Sequence, residues 1–263
     1  MAYSTFRRNN FSESAILHPR TLYRSQADQI KACFTRHRPY YNEFMHLNEM
    51  PPETALTLAQ WSSPSCLRAL LATYSDYIWR DAPEKKREDK PLISLWAQWY
   101  TGLLVPPLML ALLTQPTAPD IHPQHIYAEF HETGRASAFW FHVQEAPELS
   151  RMDSIERLEV LLTQSVAPVV QALEETGHIN SKLIWSNLGY VTHWFFNELS
   201  VFYPAERLSQ LRTHFFLTPQ LRCGSPNPLF RTVLARNGGW IRRTCCQRNR
   251  LPGVQQCGDC TLG

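Results

Sequence analysis

From Pro91 to Pro119 the chain carries no charged residue, and Leu103 to Leu113 is almost wholly aliphatic. A stretch of that length and apolarity has two homes, a lipid bilayer or the middle of a protein core. Gly102 and the pair Pro106–Pro107 interrupt it, and Gln98 and the Trp96–Trp99–Tyr100 cluster are spread through it. In a chain that is 44% hydrophobic and 19% charged, those interruptions fit a core helix broken at the proline pair. The 263 residues suffice to bury a core without help from disulfides or metal.

The rest of the chain supplies partners for such a helix. Ala27–Arg36 and Ser65–Trp79 place apolar residues at helical spacing, with Leu67, Leu70, Leu71, Tyr74 and Ile78 as one stripe. The charged run Pro83–Pro91 reads as a solvated loop or a helix start. His125–His131 and Ala138–Val143 alternate around Glu132-Thr133-Gly134-Arg135, the pattern of a β-hairpin. His131 and His142 could approach across it, and both read as ordinary sheet residues. Ile155, Leu158, Leu162, Val166, Val169 and Leu173 form a further helical stripe. Pro168 should kink or break that helix, and Gly177 should stop it. Two more helices are expected near 182–199 and 204–216, then a proline-rich loop at 218–230. A second hairpin is expected around Asn237-Gly238-Gly239. The fold class is α+β, mostly α-helical with a small antiparallel β-sheet. The chain divides into a mainly helical part at 1–120, a hairpin with helices at 121–221, and a C-terminal segment at 222–263.

That last segment differs from everything before it. Residues 1–221 carry 19 Lys+Arg against 22 Asp+Glu, a sum of −3; residues 222–263 carry seven Arg against Asp259 alone, a sum of +6. Five of the seven cysteines are there too. Cys245 and Cys246 are followed by ten residues, then Cys257, two residues, and Cys260. No export-signal run follows Arg7–Arg8, so the expected compartment is a reducing cytoplasm, where cysteines are thiols or metal ligands. Four thiolates this close suit a soft metal. A single zinc usually takes two clamps of C-x2-4-C, which an adjacent pair fits poorly. A wider two-iron cluster tolerates ligands arriving from different directions, so the spacing leans toward [2Fe–2S]; zinc and thiol redox chemistry stay open. Arg242, Arg243, Arg248 and Arg250 flank the ligands, and positive charge there should favour a more negative, reduced cluster. Cys33 and Cys66 read as core residues and Cys223 as a lone thiol.

Other chemistry is thin. The chain has no H-E-x-x-H motif, no Gly-rich phosphate loop and no dinucleotide fingerprint. A reductase built from it must take electrons from a separate protein. The run from Ile184 to Tyr190, with Trp185 and Asn187, and then His193-Trp194-Phe195-Phe196 could line a ligand pocket, although an aromatic core helix is the simpler reading.

The segment Arg242-Arg243-Thr244-Cys245-Cys246-Gln247 with Cys257-Gly258-Asp259-Cys260 closely resembles the ferric-siderophore reductases of the FhuF type. SLWAQWYTGLLVPPLMLALL, AEFHETGR and KLIWSNLGY are similar to family segments as well, so the resemblance covers most of the chain. It implies a [2Fe–2S] cofactor on Cys245, Cys246, Cys257 and Cys260, held by a C-terminal cluster-binding segment. It further implies a cytoplasmic protein, loosely associated with the inner membrane face, that reduces ferric hydroxamate siderophores after uptake. The electron would come from a flavodoxin- or ferredoxin-like donor docking on the basic rim, and no nucleic acid is involved. For substrate contacts the candidates are Arg242, Arg243, Arg248, Arg250, Trp185 and Asn187. Two rival classes share the cysteines: a zinc-stabilised, Arg-rich nucleic-acid-binding module, and a cluster-bearing iron sensor without turnover.

Overall fold

A capping box starts the first helix, α1 (Gln26–His37): the Ser25 hydroxyl accepts from the Asp28 amide at 3.2 Å, and the Asp28 carboxylate accepts from the Ser25 amide at 3.2 Å. The structure, a computed structural model, describes residues 24–236 and 239–254. Two short strands, β1 (Met45–Leu47) and β2 (Leu56–Thr57), lead to α2 (Leu58–Trp61) and α3 (Pro64–Trp79). The charge-free stretch is α4 (Asp89–Thr114), which packs against α1, α3 and elements that follow.

The expected break at the proline pair is absent. Pro106 and Pro107 sit inside α4. Each lacks the amide that would serve the carbonyl four residues earlier, so the carbonyls of Gly102 and Leu103 lose their partners. Those two residues are half-exposed, where water can serve them, whereas every residue from Leu104 to Leu113 is buried. α4 is long and apolar enough to cross a membrane, but most of it is buried in the fold, as a core helix requires.

The hairpin forms as expected: β3 (Ile126–Phe130) pairs antiparallel with β4 (Ala136–Phe141). β2 extends the sheet antiparallel on β3, and β1 adds a parallel edge on β4, giving the order β1-β4-β3-β2. The turn needs Gly134, whose φ is 81° and whose missing Cβ would stand 2.4 Å from the Leu70 carbonyl oxygen. The Trp96 indole N–H donates to the Gly134 carbonyl at 2.8 Å, fixing the turn to α4. His131 and His142 do not meet. The register puts them at opposite ends of the hairpin; His131 bonds Thr133, and the His142 ring lies 6.4 Å from that of His125.

After α5 (Pro147–Arg151), α6 (Ser154–Val160) runs into α7 (Ala167–Glu174) through a π turn, Leu161–Val166. That turn is why Pro168 does not break the helix. Widening it lets the Ala167 amide reach the Leu162 carbonyl, five residues back, just where the proline would otherwise interrupt the ladder. Gly177, at φ 76°, stops the run as expected. Arg157 in α6 is 8% exposed and staples this region. Its guanidinium donates to the carbonyls of Leu112, Gln115 and Pro116 at the end of α4, and to those of Leu149, Ser150 and Met152 around α5.

α8 (Ser181–Leu199) lies along α4, and α9 (Ala205–Arg212) passes into a second π turn, Thr213–Leu217. The loop at 218–230 is organised by Asn227, whose amide nitrogen donates to the carbonyls of His214, Phe215 and Thr218. The second hairpin follows, β5 (Val233–Arg236) with β6 (Gly239–Arg242); Asn237 and Gly238 of its expected turn lie outside the described residues. The class is the expected one: predominantly helical, with small sheets.

Candidate metal centre and adjoining cleft

α8 carries the C-terminal segment. At Gly189 a Cβ would fall 2.1 Å from the Thr232 hydroxyl and 2.7 Å from its Cβ, so only glycine lets the chain entering β5 lie this close to the helix. Two residues earlier, Asn187 is 1% exposed and its amide nitrogen donates to the Ser94 hydroxyl at 2.9 Å. Ser94, itself fully buried in α4, donates to the Cys246 carbonyl at 2.9 Å. Two core helices thus hold the backbone of the cysteine pair through a chain of donors. Asn187, a candidate substrate contact from sequence, is spent on this tether. Trp185 is half-buried and packs against the core.

The adjacent cysteines face different surroundings: Cys246 is buried and Cys245 half-buried. Gln247 adopts a left-handed conformation, φ 63°, which turns its amide back onto the Cys245 sulfur at 3.2 Å. An N–H aimed at a sulfur stabilises thiolate charge, as a cluster ligand requires. Among the described residues no three His, Cys, Asp or Glu side chains converge to hold a metal. Cys257 and Cys260 lie outside the described residues. The donors present, two thiols and a backbone N–H on sulfur, fit an iron–sulfur centre. The flanking arginines differ from one another. Arg250 pairs with Glu88 at 2.5 Å, Arg248 reaches the Gln98 side chain at 3.5 Å, and the Arg243 side chain is exposed. Cys33 is buried and Cys66 packs on the core, while Cys223 is exposed and touches the Ser225 hydroxyl at 2.9 Å.

Arg242 turns inward. It is 8% exposed, and its guanidinium lies 4.5 Å above the Tyr190 ring. It borders a cleft of about 290 Å³ between α8 and β6, lined also by His193, Trp194, Asn197 and Trp240. Burial and the nearby Arg212 charge push the His193 imidazole down to about 4, so it is neutral at pH 7. Arg212 donates to Asn197 Oδ1 at 2.9 Å, which turns the Asn197 amide nitrogen toward His193 Nε2 at 3.2 Å. His193 Nε2 therefore accepts, and the proton belongs to Nδ1, which has no hydrogen-bond partner among the described residues. Sequence reasoning missed Ser94 and Asn197, while His193 and Trp194 fall in the run it had offered as pocket-lining. The signal available was polar groups inside an otherwise apolar, aromatic helix.

Known proteins define the class. Residues 94–239 match the family described as ferric iron reductase FhuF-like transporter, and residues 242–262 match the FhuF 2Fe–2S C-terminal domain. The chain belongs to this family, as an oxidoreductase with a [2Fe–2S] cofactor, and the zinc alternative falls away. It is 54% identical over 236 residues, 90% of each chain, to a protein of Escherichia coli (strain K12) named ferric siderophore reductase.

Proposed function

We propose that this protein reduces ferric siderophores of the hydroxamate type in the cytoplasm, with Cys245, Cys246, Cys257 and Cys260 holding its [2Fe–2S] cluster. The observation that carries the ligand reading is the cysteine pair itself. Its backbone is pinned by Ser94 and one sulfur already receives the Gln247 amide. The E. coli relative's name and the family match support the substrate reading.

The cluster supplies one electron at a time. Fe(III) in the chelate takes that electron and becomes Fe(II). Hydroxamate oxygens are hard donors that hold the smaller, more charged Fe(III) strongly, so reduction loosens the complex and frees the iron. This chain's residues position and bias the exchange. Ser94 and Asn187 fix the backbone of Cys246, the Gln247 amide offsets thiolate charge, and the exposed Arg243 offers a docking point for an acidic, flavodoxin- or ferredoxin-like donor. No acid, base or nucleophile is required.

Anaerobic purification, a visible spectrum and iron and sulfide analysis test this. The expected protein is red-brown, bleaches with dithionite and regains colour when a ferric hydroxamate is added. Cys257→Ser should abolish or severely weaken cluster assembly and reduction. Wild-type reduction rates in that variant would sink the ligand assignment.

A further inference from the structure

We infer that the cleft between α8 and β6 is the seat of the ferric chelate, where Arg242, His193 and the rings of Trp194 and Trp240 meet the oxygen-bearing face of a ferric hydroxamate. This rests on the reductase reading above and locates its substrate.

Position is the first argument. Arg242 stands three residues before Cys245, and three residues span at most about 11 Å. A chelate against Arg242 is therefore close to the cysteine pair whatever path the chain takes between them. The second argument is unspent donors. Among the described residues the Arg242 guanidinium makes no hydrogen bond and no ion pair, and its Nε is buried without a partner. His193, 7% exposed, lines the same cleft, and its buried Nδ1 has no partner among the described residues. Buried donors left unmade are costly, and an acceptor-bearing ligand relieves that cost. No carboxylate of the described residues lines the cleft.

The ligand's chemistry follows. A ferric trihydroxamate core presents only acceptor oxygens and no net charge, which suits a single guanidinium and a neutral imidazole. A tris-catecholate core carries three negative charges and would ask for more cations than this wall provides. The volume of about 290 Å³ admits one face of such a chelate, with the remainder resting on Trp194, which is 42% exposed. A larger cleft of about 590 Å³, between α3, α4 and α7, is the competitor. It is lined by the carboxylates of Asp76, Asp89 and Glu175, which oppose a chelate's acceptor oxygens; Arg87 is paired with Asp76 and His178 with Asp89, leaving Arg68 as its cation without an ion pair among the described residues.

Gallium(III) desferrioxamine B separates binding from electron transfer, because gallium(III) is not reduced under these conditions. Its affinity for the cluster-loaded protein would be measured by calorimetry for wild type, Trp194→Ala, Arg242→Gln and, as a control in the larger cleft, Arg68→Ala. The expected result is a roughly tenfold loss in Trp194→Ala and in Arg242→Gln, with Arg68→Ala unchanged and all visible spectra alike. A gallium tris-catecholate should bind more weakly than the hydroxamate. Unchanged affinity in Trp194→Ala, a loss in Arg68→Ala instead, or no gallium hydroxamate binding by wild type would each overturn the assignment. Trp194 is on the surface, so its variant stays informative if Arg242→Gln folds poorly. A protein that binds the gallium chelate here but never reduces the iron chelate would keep the site and discard the reductase reading.

Discussion

Arg157 and Arg242 are equally buried, each 8% exposed, and alike in little else. Arg157 gives its protons to six backbone carbonyls and ties the end of α4 to α5 and α6. Arg242 lies on an aromatic ring beside a cleft and gives no hydrogen bond to a described residue. A buried cation whose donors are all used is architecture; one whose donors are held in reserve is suited to meet something from outside. α8 repeats the contrast along its own length. Asn187 spends its amide protons on Ser94, whereas His193, less than two turns on, keeps one.

The comparison can be broken most forcefully at Arg157. Arg157→Leu removes a donor from six carbonyls, one of which, Leu149, keeps the Met152 amide, and we expect a loss of at least about 3 kcal/mol in urea unfolding, with gallium chelate affinity unchanged in the folded fraction. A small stability loss would erase the contrast. Next is pH. The His193 imidazole is lowered to about 4 in the fold and regains about 6.5 when unfolded. The unfolded chain therefore binds a proton that the folded one refuses. The stability this group permits is full above pH 6.5 and falls between pH 6.5 and about 4, by up to about 3 kcal/mol. Unfolding midpoints across that range should slope in wild type and flatten in His193→Gln. Gly189→Ala comes third, at about 1–3 kcal/mol, since the new methyl meets Thr232. Ser94→Ala should cost about 1–2 kcal/mol by leaving the Cys246 carbonyl and the Asn187 amide short of partners, and should also speed iron loss to a chelator. Smallest is Arg242→Gln, which should change stability by less than about 1 kcal/mol while weakening the chelate.

What sequence revealed and hid divides along a physical line. Helices at α1, α3 and α8, the β3–β4 hairpin and the role of Gly177 are written in local periodicity and turn chemistry, which neighbouring residues decide. The cysteine spacing is local too, and it pointed to iron–sulfur chemistry before any fold was known. Proline was over-read twice. Its missing amide is a local fact, but its effect depends on whether water or a widened turn can compensate, as at Gly102–Leu103 and at the π turn before Pro168. The Asn187–Ser94–Cys246 tether spans 93 and 152 residues of sequence, so no window of spacing could expose it. The same holds for the cleft, which exists only because Gly189 lets the chain near β5 lie on α8.

The tether also bears on how the protein is loaded. Ser94 and Asn187 belong to core helices, so the backbone of Cys246 is set in place by groups that are not themselves cysteine ligands. On the proposed ligand set, a scaffold handing over a preassembled cluster would meet the positioned Cys245–Cys246 pair first. Loading on this chain is then a transfer onto a folded acceptor, and a chaperone that delivers intact clusters would serve it better than one that keeps the whole chain unfolded.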